Sequence, residues 1–207
     1  KYKCMKFGVP AEKIKVLGFP IRSRFYNCSC QREESQNYNM NKLLNCMIMS
    51  GGEGVGNMKK IAEILLDNFN CTVKIVAGRN AELKKKLEKS LIKKYGNKVE
   101  IYGFTKNIQD LMRCSDIAFT RGSPNVIMEA IACNVPLIIT NALPGQEEEN
   151  PRFVEKYNLG VICKDTRKIE TVISDLLANN LQKLNEIKNS QRIYAKPDAA
   201  EDIVNFI

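Results

Sequence analysis

Short apolar runs alternate with stretches of helical periodicity along most of this chain. The runs are rich in Val, Ile and Leu, as is typical of strands that are buried on both faces of a sheet. They occupy residues 43–49, 73–78, 99–103, 116–120, 136–140 and 160–163. This alternation predicts an α/β fold with a doubly wound, mostly parallel Rossmann-like sheet. Residues 14–18 form a further short strand candidate.

The clearest predicted helix covers residues 80–95. Leu83, Leu87 and Leu91 recur there every four residues, and six lysines occupy other positions. Asn57 is placed to cap an earlier helix. Further helices are predicted over residues 107–114, over a segment that includes residues 126–131, and over 166–178, 180–191 and 198–207. Residues 30–42 are polar and lack periodicity. We therefore predict an interdomain segment and mobile loop over residues 1–42, and one Rossmann-like domain, including the C-terminal helices, over residues 43–207.

Four polar or glycine-rich turns follow the predicted strands, at residues 50–56, 78–80, 103–105 and 120–129. Because parallel strands end at the same edge of a sheet, these turns are expected to converge there, where doubly wound sheets bind ligands. The turn before the helix at residue 124 also leaves unpaired N–H groups and the positive end of a helix dipole at that edge. That arrangement favours an anion, typically a phosphate.

Two motifs give this chain a family resemblance, TRGSPNVIMEA at residues 120–130 and PGQEEEN at residues 144–150. The chain resembles, from about Gly8 to its C-terminus, the donor-binding half of glycosyltransferase family 28 enzymes that glycosylate diacylglycerol. The resemblance implies half of a GT-B fold, with residues 43–207 as a nucleotide-sugar-binding domain. It also implies an inverting enzyme that transfers glucose or galactose from a UDP-sugar to diacylglycerol or to a glycosyldiacylglycerol.

The same resemblance assigns roles to individual residues. Glu129 would hold the ribose hydroxyls of UDP, and Gly103 and Phe104 would read the uracil edge. The glycine-rich turn would lie near the diphosphate, and the PGQEEEN loop near the sugar hydroxyls. The predicted donor-binding set is Gly51, Gly52, Glu53, Gly54, Arg79, Gly103, Phe104, Arg121, Ser123, Pro124, Asn125, Glu129, Gln146, Glu149 and Asn150. Two residues depart from the family pattern, since Ser123 replaces a glycine and Val126 replaces a threonine.

Ordinary structural roles stay open for several of these positions. The glycine-rich turn is also what a tight strand–helix connection needs. Phe104 could be a core residue at a strand end, and Arg79 a surface residue. Glu129 could be an ordinary solvated helix residue, as most glutamates are. The acidic residues 147–149 could simply begin the next helix, where the positive end of the helix dipole favours negative charge.

Composition limits the chemistry. The 207 residues include no histidine and carry a net charge of +9. We therefore expect no catalytic residue in this chain and a general base in a preceding domain, so that this chain binds the donor but is inactive alone. No metal site and no obligatory cofactor are expected. The eight cysteines are scattered, which favours a reducing cytoplasm.

The expected partners are UDP-glucose or UDP-galactose, and a lipid acceptor held by the preceding domain. Residues 84–86 are all lysines and form a basic face, which is either a solvated helix surface or a contact with an anionic membrane surface. No apolar run approaches the ~20 residues that span a bilayer, so the enzyme is expected to be cytoplasmic and peripherally membrane-associated. No nucleic-acid motif accompanies the charge. Alternatives are a peptidoglycan-type UDP-GlcNAc transferase, half of a UDP-sugar epimerase, or a non-catalytic nucleotide- or membrane-binding module.

Overall fold

The computed structural model describes residues 1–27, 43–49 and 57–207. Six strands form one sheet: β1 (Leu44–Met49), β2 (Cys71–Val76), β3 (Val99–Tyr102), β4 (Ile117–Arg121), β5 (Leu137–Asn141) and β6 (Gly160–Ile162). Every pairing is parallel, and the strand order is β3-β2-β1-β4-β5-β6. The predicted doubly wound parallel sheet is thus confirmed, and the strand order reverses direction between β1 and β4.

Nine helices lie within the described residues: α1 (Tyr2–Lys6), α2 (Met58–Asn68), α3 (Ala81–Leu87), α4 (Lys93–Tyr95), α5 (Ile108–Arg113), α6 (Pro124–Ala132), α7 (Glu149–Lys156), α8 (Ile169–Tyr194) and α9 (Ala199–Phe206). A π-helical segment, Glu88–Ile92, joins α3 to α4, so the predicted helix over residues 80–95 is continuous but locally underwound. The predicted interruption near residue 179 is confirmed, because residues 178–181 inside α8 have non-helical backbone angles.

The helices cover both faces of the sheet. One buried cluster packs α2, α3 and α8 against one face, through residues such as Leu65, Leu87 and Leu184. The other cluster packs α5, α6 and α7 against the opposite face, through Met112, Ile127 and Val154. The edge of the sheet where a ligand is expected to bind is therefore accessible from two sides, one on each face of the sheet.

The strand predicted over residues 14–18 is wrong. A short 3₁₀ turn, Ala11–Lys13, precedes an irregular segment there. Val16 is 63% exposed, so the apolar residues of this segment do not bury one face as a strand would. Gly18 has φ +112°, and a Cβ at this position would lie 2.9 Å from the Cβ of Ala199. The segment instead packs beside the start of α9.

Asn57 occupies the N-cap position of α2, but its side chain makes no capping hydrogen bond. The division at residue 42 stays a prediction, since the predicted mobile loop over residues 30–42 lies outside the described residues. Within residues 1–27, Phe25 is 1% exposed and belongs to the cluster beneath α5 and α6.

Candidate functional site

The predicted turns after β2, β3 and β4 meet at the carboxyl edge of the sheet. Because all strands are parallel, the residues that follow β2, β3, β4 and β5 lie along the same edge, whereas the predicted turn at residues 50–56 lies outside the described residues. Where β1, β4 and β5 end, on the side of α2 and α8, a crevice of about 280 Å³ opens. Such crevices at the reversal of strand order are the usual ligand sites of doubly wound sheets.

The ends of β2 and β3 bring Arg79 and Phe104 together. A Cβ on Gly103 would lie 3.7 Å from the carbonyl oxygen of Gly78, so the two strand ends are neighbours. The Arg79 guanidinium lies 5.2 Å from the centre of the Phe104 ring. Phe104 is 63% exposed, which rules out its alternative role as a core residue. The pair offers a flat surface suited to stacking against a planar ring.

The turn between β4 and α6 presents an open helix N-terminus. The backbone N–H of Ser123 donates to the Arg121 carbonyl at 2.7 Å, and Pro124 occupies the first helical position. Ser123 is the N-cap residue, but its side chain makes no capping hydrogen bond. Pro124 and Asn125 are exposed, whereas Val126 is buried in the core. The first turn of α6 is therefore available to an anion, and the departure at Val126 falls in the core.

Glu129 lies on α6, half-buried, one turn beyond this N-terminus. Burial raises the pKa of its carboxyl, while the charges of Arg22 and Arg24 act in the opposite direction and lower it. Both guanidinium groups therefore lie near the carboxylate. Among the described residues, the buried Nε of Arg24 has no hydrogen-bond partner. A carboxylate beside two cations can accept hydrogen bonds from a diol while the cations attract a phosphate.

Arg22 and Arg24 were not predicted from the sequence. They lie near Glu129 because the 3₁₀ turn Ser23–Phe25 packs against α5 and α6. The Arg113 side chain donates to the carbonyl oxygens of Phe25 and Tyr26, and the Cys133 thiol donates to the Phe25 carbonyl at 3.4 Å. These hydrogen bonds join positions about 100 residues apart along the chain. No local sequence pattern could therefore have predicted them.

The PGQEEEN loop at residues 144–150 is braced against the β4–α6 turn. Asn150 donates its side-chain N–H to the Gly122 carbonyl at 2.8 Å. Glu147 is 5% exposed, accepts from the Leu143 N–H at 3.0 Å, and lies 3.1 Å from Arg121 Nε. The structural role of Glu147, which fixes Arg121 at the edge of the crevice, was not predicted from the sequence.

The remaining predicted residues are distributed as follows. Gln146 is exposed on the same loop, and Glu149 is exposed in an ion pair with Arg152 at 3.0 Å. Gly51, Gly52, Glu53 and Gly54 lie outside the described residues. Within the described ranges, no group of three His, Cys, Asp or Glu residues is arranged to hold a metal ion.

The described part of the chain contains no helix that is both long enough and apolar enough to span a membrane.

The family model "Glycosyltransferase family 28 C-terminal domain" matches residues 55–203, which is more than half of the chain. The chain therefore belongs to glycosyltransferase family 28, of which it carries the C-terminal domain. The predicted family is confirmed.

Similar curated proteins are bacterial. The chain is 31% identical over 211 residues to a processive diacylglycerol beta-glucosyltransferase of Bacillus licheniformis, covering 100% of the chain and 54% of that protein. It is 32% identical to the Bacillus cereus protein of the same name, covering 97% of the chain and 52% of the relative. The chain thus spans about half the length of the curated relatives it matches.

Solved structures confirm the fold. A UDP-N-acetylglucosamine 2-epimerase superposes with a TM-score of 0.67 at 16% identity, over 98% of this chain and 53% of that one. HepE of Anabaena, solved with UDP and glucose, superposes with a TM-score of 0.61 at 19% identity, over 98% of this chain and 59% of that one. MurG of Acinetobacter baumannii superposes with a TM-score of 0.62 at 20% identity, over 85% of this chain and 53% of that one. The chain has the Rossmann-like fold of one GT-B half.

Proposed function

We propose that this chain is the UDP-sugar-binding half of an inverting hexosyltransferase. The observation that carries the proposal is the group formed by Glu129, Arg22 and Arg24 beside the open N-terminus of α6. Glu129 accepts hydrogen bonds from the ribose hydroxyls of UDP. Arg22, Arg24 and the N–H groups at the start of α6 bind the diphosphate. Arg79 and Phe104 lie further along the same edge, where they can flank the uracil ring.

The bound diphosphate is also the leaving group of the proposed reaction. An acceptor hydroxyl attacks the anomeric carbon, the bond from that carbon to the diphosphate oxygen breaks, and UDP leaves. Negative charge then develops on the diphosphate, and the two arginines and the helix N-terminus stabilise it in place of a metal ion. The hydroxyl proton goes to a general base. The chain has no histidine, and we assign the base to a part of the protein outside this chain.

The sugar and the acceptor are proposed from the relatives. Their name, processive diacylglycerol beta-glucosyltransferase, favours UDP-glucose over UDP-galactose and a diacylglycerol acceptor. Gln146 is exposed on a loop that Asn150 braces against the β4–α6 turn, and we propose that it contacts the sugar hydroxyls. We assign the acceptor to the part of the protein outside this chain.

A membrane-bound acceptor implies contact with a membrane surface. The lysines of α3 provide a basic face, of which only Lys84 is ion-paired among the described residues of that helix. We propose a salt-sensitive electrostatic contact with anionic lipid. Sedimentation with vesicles of phosphatidylcholine, with and without phosphatidylglycerol, tests this. Binding that needs the anionic lipid and is lost at high salt would support it, whereas equal recovery from both vesicles would contradict it.

Calorimetric titration tests the donor site. UDP, UDP-glucose, UDP-galactose and UDP-N-acetylglucosamine are titrated into the chain and into its Glu129→Gln variant. Loss of the carboxylate should weaken UDP binding about tenfold or more, because hydrogen bonds to a charged group contribute about 1.5–3 kcal/mol. The matched control is Glu170→Gln, an exposed glutamate on α8, which should leave UDP binding within about twofold of the original, since it lies on a different helix from Glu129.

Two outcomes would contradict the proposal. One is UDP binding that Glu129→Gln leaves unchanged. The other is a preference for UDP-N-acetylglucosamine over UDP-glucose, which would favour the transferase or epimerase alternatives instead.

A further inference from the structure

The 3₁₀ turn Ser23–Phe25 determines where Arg22 and Arg24 lie. Arg22 is its N-cap residue, and the Phe25 N–H donates to the Arg22 carbonyl at 3.0 Å. This hydrogen bond fixes the local shape of the turn but not its orientation against α6, where Glu129 lies. A turn of three residues needs contacts with other elements to fix that orientation.

Arg113, the last residue of α5, holds the end of this turn. Its terminal guanidinium nitrogen Nη2 donates to the Phe25 carbonyl at 3.3 Å and also to the Tyr26 carbonyl. Carbonyl groups at the end of a helical turn lack partners within the turn. Because a guanidinium is planar and its N–H groups point in fixed directions, it can hold two successive carbonyl groups in one arrangement.

The other contacts of the turn fix its depth rather than its orientation. The Phe25 side chain is 1% exposed and packs in the cluster beneath α5 and α6. The Cys133 thiol donates to the Phe25 carbonyl at 3.4 Å, and a thiol is a weak donor. One buried ring and one weak hydrogen bond leave the turn free to rotate about the ring. The two hydrogen bonds from Arg113 prevent that rotation.

Arg113 is also a costly residue at this position. Its Nε is buried and, among the described residues, has no hydrogen-bond partner. A buried N–H group without a partner lowers stability. Side chains that are kept at such a cost are typical of positions that serve function rather than the stability of the fold.

We infer that Arg113 is a positioning residue of the donor site. Its hydrogen bonds to the Phe25 and Tyr26 carbonyls orient the turn so that Arg22 and Arg24 face the ligand. The inference rests on the donor role proposed above for Glu129 and these two arginines. Arg113 holds the backbone that follows the arginines, so it acts on the diphosphate through them and not by contact.

The pKa of Glu129 reports where the two arginines lie, without any ligand. Because the charges of Arg22 and Arg24 lower this pKa, their displacement in an Arg113→Met variant should raise it above its value in the original chain. Carbon NMR of labelled glutamate side chains measures the pKa during a pH titration, and the spectrum of Glu129→Gln identifies the resonance.

Arg113→Lys separates displacement of the turn from loss of the Arg113 charge. Lysine keeps the positive charge and the aliphatic stem, but its shorter side chain ends in a compact ammonium group without the planar fork. It should therefore hold the two carbonyl groups less well and raise the pKa of Glu129 in the same direction, by less than Arg113→Met does.

Calorimetric titration with UDP tests the effect on the donor. Arg113→Met should weaken UDP binding about tenfold, because charge-assisted hydrogen bonds to the diphosphate are lost. The same substitution is then made in a chain that carries Arg22→Gln and Arg24→Gln. There it should change UDP binding by less than about twofold, since the residues through which Arg113 acts are gone.

The matched control is Arg192→Met. Arg192 is exposed on α8 and donates to the Asn189 side chain at 3.4 Å. The substitution removes the same charge and the same length of side chain away from the turn. It should change neither the pKa of Glu129 nor the affinity for UDP.

Three outcomes would overturn the inference. In the first, both Arg113 variants keep the Glu129 pKa and the UDP affinity of the original chain. In the second, the pKa rises but UDP binding does not change. In the third, Arg113→Met weakens UDP binding equally with and without the two arginines, which would mean a general loss of structure. If Arg113→Met does not fold, Arg113→Lys is measured in both backgrounds and judged by the same criteria.

Failure of the donor proposal has a separate signature. Glu129→Gln and the chain with Arg22→Gln and Arg24→Gln would then bind UDP like the original chain. If these variants bind UDP more weakly while the Arg113 variants do not, the donor proposal stands and only the role of Arg113 is overturned.

Discussion

Glu129 experiences two opposing electrostatic effects. Burial disfavours its charged form, and the nearby charges of Arg22 and Arg24 favour it. Burial is the larger effect, so the pKa of the carboxyl is raised. A carboxyl group whose burial disfavours its charged form is typical of functional positions. There the ligand supplies the hydrogen bonds that water would otherwise make.

The raised pKa of Glu129 predicts how stability depends on pH. Because its carboxyl binds a proton more tightly in the folded state, its favourable contribution is complete below the unfolded pKa of about 4.3 and is lost as pH rises through the raised value. Glu129→Gln is neutral at every pH. The variant should therefore be more stable than the original chain at pH 7, with the gain disappearing toward pH 4. Urea unfolding at several pH values measures this.

Glu170→Gln is the control for this prediction, because that glutamate is exposed and should show no gain at pH 7. A Glu129→Gln variant that loses stability at pH 7 would mean that the arginines outweigh burial. If Glu129→Gln both weakens UDP binding and makes the chain more stable, then Glu129 serves ligand binding rather than the stability of the fold.

A substitution at Gly160, the first residue of β6, is expected to destabilise the chain for steric reasons alone. A Cβ there would lie 2.5 Å from the Leu137 carbonyl oxygen and 3.1 Å from a Val154 methyl group. Gly160→Ala should therefore lower the free energy of unfolding by about 1–3 kcal/mol, as overpacking usually does. At Gly103 the nearest atom would be 3.7 Å away, so Gly103→Ala serves as the control. Equal urea midpoints for the two variants would contradict this prediction.

At the scale of elements, α8 consists of two helices that meet at residues 178–181. Leu181 has φ +63° there although it is a non-glycine residue, and its side chain is buried. Such a conformation persists only where surrounding contacts hold it. The half that follows the break packs through Leu184 and Ile187, and a buried side chain, Gln191, links it to two loops.

Gln191→Leu should destabilise the chain. Gln191 is fully buried, and its side-chain N–H groups donate to the carbonyl oxygens of Val135 at 3.0 Å and Leu159 at 2.7 Å. Leucine would leave both carbonyl oxygens buried without these partners. We expect a loss of about 1–3 kcal/mol, measured by urea unfolding. Gln182→Leu is the control, since Gln182 is exposed and donates its side-chain N–H to the exposed Glu186 carboxylate. A loss no larger than that of the control would contradict the assigned role.

At the scale of the whole molecule, the sequence predicted what local patterns encode. The six strands were predicted within two residues at each end, because each is a buried apolar run with a turn after it. The convergence of Arg79 with Phe104 followed from the parallel order. The position of Arg22 and Arg24 near Glu129 could not be predicted, since it depends on how the Ser23–Phe25 turn packs against α5 and α6. The same holds for the Arg121–Glu147 ion pair, because nothing in three consecutive glutamates marks the buried one.

The chain by itself is expected to bind a UDP-sugar but not to transfer the sugar. It carries the groups proposed to bind a UDP-sugar along one edge, but it has no histidine, and no residue of its described part is proposed as the base. General acid–base catalysis contributes typically 10²–10⁴-fold, so we expect UDP-glucose to bind without detectable transfer. UDP release is measured with vesicles that contain diacylglycerol. Release that depends on diacylglycerol and is abolished by Glu129→Gln would contradict this prediction and would place the base within these 207 residues. Release that is independent of diacylglycerol would instead be hydrolysis, which would show that the donor site activates the sugar without a bound acceptor.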